Sequence, residues 1–323
     1  MPGAVRGSRS GRVAAGVRPL AALGDGELRT RLGAGTLCLR TGPFTLRLRS
    51  ALPHVAAAVG TLYAEHPVLD AQDARFCDFH PRVDAQPGLR RWIRPQAQFE
   101  LDGQLPFSPM ALHQAAPMLE WGLNWCVTEH CHQYIVVHAA AVERNGRVAV
   151  LPAPPGSGKS TLCAALVNRG WRLLSDELAL IDPASGLLLP VARPVSLKNR
   201  SIEVIQTFAP EARFSAVVHD TVKGSVAHMK PPADSVRRDQ EAAPLAWLVF
   251  PQYRAGAALE ARPLKRTEAF MRLLDHAFNY HLHGPRGFEC LADMVEPAQG
   301  LDFSYSSLDE ACAFFADLAD RAA

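Results

Sequence analysis

Between Leu151 and Thr161 the chain reads L-P-A-P-P-G-S-G-K-S-T. Gly156, Ser157 and Gly158 can turn tightly and leave backbone N–H groups facing outward. Lys159 adds a cation on a flexible stem. Ser160 and Thr161 add hydroxyls at the head of an apolar run, Leu162 to Val167, that reads as a helix. Amides at a helix N-terminus suit an oligophosphate: the lysine reaches the outer phosphates, and the first hydroxyl coordinates magnesium. Gly156, Ser157, Gly158, Lys159, Ser160 and Thr161 are therefore the expected nucleotide contacts, with Ser160 on the metal. The motif's usual first glycine is replaced by Ala153. The preceding Arg147 to Leu151 reads as a buried strand, so the strand, turn and helix that the motif needs are all present.

Asp176 and Glu177 form the second group, 17 residues beyond Lys159. They interrupt an apolar run from Trp171 to Ile181 that otherwise reads as one strand. Two carboxylates inside such a strand are costly unless paired. A magnesium ion would pair them, and in phosphate-loop enzymes an acid at the end of a neighbouring strand holds the metal or its water. His138 is the third candidate. It lies on a strand from Tyr134 to Val142 that Asn145-Gly146, a strong hairpin signal, joins to the strand feeding the glycine turn.

The elements that must position these groups read as follows. Gly35 to Ser50 is a hairpin turning at Thr41-Gly42-Pro43, and Val55, Val59, Leu62 and Tyr63 share a helical face. Phe76 to Val83 and Trp92 to Leu101 read as strands, and a helix is expected from Ala111 to about His132. Residues 25–132 are thus expected as a small α+β N-terminal domain and 133–323 as the domain carrying the candidate site. Downstream, Leu187 to Val191 reads as a strand, Ser201 to Phe208 as a short helix and Ala246 to Pro251 as a buried strand. A helix starts at Thr267 with Phe270, Leu273, Leu274, Ala277 and Phe278 on its apolar face. A last helix starts at the capping box Ser307-x-x-Glu310. Lys223 to Arg238 reads either as a solvated basic loop or as a phosphate or acceptor contact through Lys223, Lys230, Arg237 and Arg238.

Composition excludes several classes. The 323 residues carry 34 basic and 32 acidic side chains, a formal net charge of +2, so nothing demands a nucleic-acid or membrane partner. No apolar run approaches the roughly 18 residues of a membrane span. Residues 1–24 are rich in Arg and Gly and are expected to be a disordered tail. Seven unevenly spaced cysteines do not form a disulfide framework, so a cytoplasmic location is the expectation. Cys126, His130, Cys131, His132 and His138 match no zinc-site spacing.

The segments V-V-H-A, G-S-G-K-S-T and R-G-W-R-L-L-S-D-E-L, in this order and at this short spacing, resemble the HPr kinase/phosphorylase family over residues 134–182. With P-M-L-E-W-G-L-N-W in the N-terminal part, the pattern looks most like the HPr-kinase-related kinase A branch. The resemblance implies an α/β fold with a P-loop kinase core related to phosphoenolpyruvate carboxykinase. It also implies roles. Lys159 and the loop amides would hold ATP, with Mg2+ on Ser160 and assisted by Glu177. Asp176 would deprotonate an acceptor hydroxyl, and His138 would support the phosphates. The parent family is hexameric, so a homo-oligomer is implied. The chain departs from the family at Thr221-Val-Lys-Gly224, where the family has E-I-R-G and where Asp220 stands alongside. It departs again at Arg262 to Arg266, where the family has P-V-R-P-G. These departures point away from HPr as acceptor and from phosphorolysis, and Tyr253-Arg254 is a further candidate cation. The expectation is a kinase acting on a hydroxyl of an unidentified protein or small molecule; the alternative is a non-catalytic ATP-binding regulator. No L-S-G-G-Q or N-K-x-D stretch supports a transporter ATPase or a Ras-type GTPase.

Overall fold

A computed structural model describes residues 18–69, 76–88 and 93–321. The first part builds two small sheets. Strands β1 (Arg18–Pro19), β2 (Leu37–Thr41), β3 (Phe44–Leu48) and β4 (Pro67–Val68) lie in the order β1-β4-β2-β3, with β2 and β3 forming the expected hairpin. Strands β5 (Pro81–Ala85), β6 (Gln96–Leu101) and β7 (Met110–Ala111) form the second sheet. Helices Asp25–Ala34, Pro53–Leu62 and Ala115–His130 cover them. The expected strand from Phe76 contracts to β5, because Phe79 makes only an isolated bridge to Leu46. The expected tail falls outside the described residues for 1–17. Residues 18–24 correct that expectation, because Leu20 and Leu23 are buried in the core and β1 pairs with β4.

The second part is a three-layer α/β structure. Its main sheet combines β8 (Ile135–Arg144), β9 (Arg147–Pro152), β10 (Arg172–Ser175), β11 (Leu178–Ile181) and β12 (Leu188–Leu189) with later strands. Between them and the rest of that sheet come β13 (Val195–Lys198), β14 (Val218–Thr221) and β15 (Gly224–Met229), a separate three-stranded sheet. The main sheet is completed by β16 (Leu245–Tyr253), β17 (Glu260–Pro263) and β18 (Gln299–Tyr305). Its order is β12-β11-β8-β9-β16-β18-β17, with β10 continuing β11 alongside β8. β9, β16 and β18 are parallel; β8, β11 and β17 run against their neighbours. Residues 223–238, read as a loop, instead hold β15 and a short helix, Ala233–Arg237.

Side-chain alternation sorts the sheet's two faces. Ala140, Val142, Ala149, Leu151, Trp247 and Val249 pack on helices Lys159–Val167 and Leu308–Asp320. Ile135, Val137, Val148, Val150 and Phe250 pack on helices Arg266–Leu274 and Pro285–Val295. β9 is buried on both faces and therefore reads as a continuous apolar run. The first face changes partner along its length. Val136, Leu178 and Leu180 belong to the core of the N-terminal part, whereas Ala140 and Leu173 belong to the core under helix Lys159–Val167. His138, between Val136 and Ala140, stands at the seam of the two cores.

A buried ion network joins the two parts. Arg193 reaches Glu120 on helix Ala115–His130 at 2.7 Å and donates to Asn124 at 2.7 Å, while the Tyr63 hydroxyl donates to Glu120 at 2.8 Å. Removing one member of a buried pair strands the other charge. Arg193→Met is expected to lower stability by about 3–5 kcal/mol in urea unfolding; a loss below about 1 kcal/mol, the worth of an exposed pair, would contradict a joining role.

Candidate functional site

Strand β9 ends at Pro152 and the chain turns through Pro154 to Gly158 into helix Lys159–Val167. Gly156 and Gly158 have φ of +85° and +90°, in the left-handed region that glycine adopts without strain. Gly158 is doubly constrained. A Cβ there would lie 2.6 Å from the Tyr305 hydroxyl, and that hydroxyl donates to the Gly158 carbonyl at 3.0 Å. The Tyr253 N–H holds the Ser157 carbonyl at 2.8 Å. Tyr253 and Tyr305 sit side by side at the carboxyl ends of the parallel strands β16 and β18. The turn is thus clamped from the place where open α/β sheets bind ligands. Ala153 is buried and outside the positive-φ set, so that position makes no demand that only glycine could meet.

The acidic pair lies where the β10–β11 ladder with β8 opens. Ser175 pairs with Ala141 and Leu178 with His138, leaving Asp176 and Glu177 between them. The structure brings His138, Lys159, Asp176 and Glu177 together. Lys159 is only 7% exposed, and its Nζ lies 3.1 Å from His138 Nε2. The same Nε2 lies 3.3 Å from Glu177 Oε2, and Lys198 Nζ stands 3.7 Å from Glu177 Oε1. Nε2 can accept from Lys159 when unprotonated or donate to Glu177 when protonated, so the imidazole serves one partner at a time. Its ring stacks on Phe278 with centroids 5.9 Å apart, and the backbone N–H of His138 donates to the His276 carbonyl at 2.8 Å.

The two carboxylates differ in electrostatics. Asp176 is 4% exposed; burial, then the charge of Glu177, pushes its carboxyl up to about 6, against the opposing pull of Lys159, the Ser196 N–H and the Ser160 hydroxyl. Asp176 Oδ2 accepts from the Ser196 N–H at 2.9 Å, while Oδ1 is buried without a partner. Burial alone would also raise Glu177. The His138 bond and the charges of Lys159 and Lys198 overcome it and hold that carboxyl well below the ordinary range. One carboxylate can therefore take up a proton near neutral pH while its neighbour stays ionised.

Ser160 and Thr161 are half-buried on the helix's first turn. No three His, Cys, Asp or Glu side chains converge as a metal cage among the described residues. A divalent ion here would have to share its ligands with a bound phosphate. Two features suit one: the Ser160 hydroxyl beside the pair, and a Glu177 carboxylate whose contacts, at 3.3 and 3.7 Å, are longer than strong charge-assisted bonds.

Other sequence candidates go elsewhere. Lys230 pairs with Glu65, Arg237 with Asp234, and Arg238 with Glu143 and Glu241. Lys223 alone of that group turns toward the site, its Nζ 4.9 Å from the Trp121 ring centroid. Burial first and Lys198 second lower its pKa. Asp220 is exposed at a φ of +57° with its carbonyl held by Gln114. Arg254 bonds Gln252, and Arg262 and Arg266 make exposed pairs with Asp302 and Glu296. Cys126 and Cys131 are core thiols, and His130 packs edge-on to Trp125. Sequence reasoning missed Lys198, Tyr253 as a clamp, Tyr305 and Phe278. The alternation Leu301, Phe303, Tyr305 was a strand signal for one of them; Ala277 and Phe278, assigned to a helix, instead bridge to β8 because the helix stops at Leu274.

The raised carboxyl has a stability consequence. The folded value near 6 exceeds the 3.8 of an unfolded aspartate. The resulting penalty is absent below about pH 4 and grows as pH rises through 6, reaching about 3 kcal/mol. Asp176→Asn is expected to stabilise the protein by up to about 3 kcal/mol near pH 8 and by little near pH 4 in urea unfolding. A pH-independent change, or a loss at both values, would contradict the desolvated carboxylate.

Comparison of the chain with protein-family models and with curated proteins finds no match.

Proposed function

We propose that the protein is an ATP-dependent kinase that transfers the terminal phosphoryl group of ATP to a hydroxyl acceptor. The reading rests above all on the convergence of Lys159, His138 and an acidic pair with divergent proton affinities at one clamped glycine turn. The amides of Gly156 to Thr161 and the helix N-terminus would bind the phosphates. Lys159 would leave His138 for a phosphate oxygen, and His138 would then be free to hold Glu177 or the same phosphate. Ser160 and Glu177 would hold Mg2+, which, when bound, neutralises charge on the phosphates. Asp176, with its free Oδ1, would take the acceptor's proton; an affinity near neutrality is what such a base needs. The fold this implies is a P-loop kinase core within the α/β architecture, consistent with the resemblance to HPr-kinase-related proteins.

Substitutions separate the roles. Lys159→Ala is expected to abolish Mg·ATP binding in calorimetry while the far-ultraviolet dichroism stays native; unchanged affinity in the folded variant would end the phosphate-loop reading. Asp176→Asn should keep ATP affinity within a few-fold and lower transfer, or slow hydrolysis in its place, by about 10² or more. Glu177→Gln should instead weaken the magnesium-dependent part of binding. His138→Ala should lower turnover per folded molecule more than it lowers the melting temperature. A protein that binds ATP without hydrolysis or transfer in any form would be the non-catalytic regulator instead.

A further inference from the structure

The His138–Glu177 pair has an ammonium on each side. Lys159 Nζ lies 3.1 Å from His138 Nε2, and Lys198 Nζ lies 3.7 Å from Glu177 Oε1. The second contact is long for a charge-assisted bond, and the Lys198 side chain is 34% exposed. An exposed pair of this kind adds little stability. The Lys223 ammonium lies over the Trp121 ring instead.

The chain holds the base of Lys198 far more firmly than its tip. Lys198 ends β13. Its backbone N–H donates to the Ser201 hydroxyl at 2.8 Å, and that hydroxyl donates to the Lys198 carbonyl at 2.7 Å. Asn199 follows at φ +53° and ψ −129°, outside the left-handed helical region that asparagine tolerates. It precedes helix Arg200–Phe208, yet its carboxamide caps none of that helix's N–H groups. Its Oδ1 instead accepts from the Ser225 N–H at 3.1 Å, and its own N–H donates to the Ser225 carbonyl at 2.8 Å. Gly224 leaves room for this, since a Cβ there would lie 2.2 Å from Asn199 Oδ1. Such a conformation costs energy and persists only where its surroundings over-determine it; residues of this kind gather at active sites and ligand clamps.

Resting on the kinase reading, we propose that Lys198 is a second catalytic cation, which binds the phosphoryl group while it is in transfer, and that Asn199 is the positioning residue that aims it. With Glu177 committed to Mg2+, the Lys198 ammonium loses its carboxylate and turns on its four-carbon stem to another oxyanion. Lys159 meets the phosphates from the His138 side and Lys198 from the Glu177 side. In the transfer the bond from the terminal phosphorus to the bridging oxygen breaks, and its electron pair leaves with ADP. The bond from phosphorus to the acceptor oxygen forms, and the acceptor's proton goes to Asp176. Lys198 keeps its proton and offsets charge on the three oxygens spread around phosphorus. The turn's amides and Lys159 hold ATP before transfer; the Lys198 contact is made chiefly as charge spreads over the moving group.

The test is calorimetry on the full-length protein with Mg2+. AMP-PNP, a non-hydrolysable analogue, stands for bound ATP, and ADP with aluminium fluoride stands for the planar group in transfer. Lys198→Met is expected to keep the AMP-PNP affinity within about threefold and to weaken ADP with aluminium fluoride by about 10- to 100-fold, the worth of a bond to a charged group. Lys198→Gln should behave alike, and Lys198→Arg should restore most of the loss. Asn199→Gly takes up the same backbone freely but loses the Ser225 bond; it should weaken the fluoride complex by a smaller factor and leave AMP-PNP unchanged. Slow ATP hydrolysis should show the same split in Lys198→Met, with kcat lowered and the KM for ATP held. The proposal is overturned if Lys198→Met binds ADP with aluminium fluoride as the wild type does, if both complexes weaken equally, or if the wild type binds AMP-PNP but not the fluoride complex. An unchanged response in Asn199→Gly removes its positioning role. Failure of AMP-PNP to bind the wild type, read first, removes the kinase reading and this proposal with it.

Discussion

A carboxylate held out of water constrains the whole site. Asp176 lies in the break between β10 and β11, between two apolar cores on one sheet face, and burial raises its proton affinity. Everything that tolerates it is local: the Ser196 N–H from β13, the Lys159 charge at the head of a helix and the Ser160 hydroxyl one residue on. The two cores must part at this point, because apolar packing on both sides would leave no room for the charges. The gap so formed is where His138, Lys159 and Glu177 also gather.

The second constraint is the glycine turn. Parallel strands β9, β16 and β18 end together, and the last two deliver Tyr253 and Tyr305 against Ser157 and Gly158. The tyrosines fix the turn's backbone without occupying its outward amides. Burial raises the Tyr305 phenol, and its hydroxyl remains a neutral donor to the Gly158 carbonyl. A turn held through its carbonyls, beside a carboxylate of raised proton affinity, would give anion binding and proton transfer a common place. On the proposed reading, these are the two operations a kinase needs.

Much of this was legible in the residues. The glycine turn, the strands around it and the acid pair were readable because each breaks a local pattern: glycines before an apolar helix, charges inside an apolar strand, Asn145-Gly146 between two runs. The hairpin formed as read, with Asn145 and Gly146 both at positive φ. What stayed hidden was long-range. Lys198 ends a short strand with no motif, and the pairing of β13 with β15 carries it to Glu177. Helix periodicity ran through Phe278, but the chain leaves the helix at Leu274 so that Phe278 can bond Val136 and stack on His138. The N-terminal part showed no link to the site in its sequence, because the Tyr63–Glu120–Arg193 network that ties it to the second part exists only once the two have packed. The basic stretch from Lys223 to Arg238 divided: three of its cations are structural and only Lys223 faces the site.

On the proposed reading, the amides of the clamped turn and Lys159 beside it bind the phosphates of ATP. Amide nuclear magnetic resonance of the wild-type protein during titration with ATP and Mg2+ tests it most directly. The backbone amides of Gly156 to Thr161 are expected to move downfield and saturate with the nucleotide, as donors to an anion do, and the Lys159 ammonium and the His138 ring are expected to move with them. Saturable binding that shifts amides elsewhere and leaves these in place, or no binding at all, would contradict it.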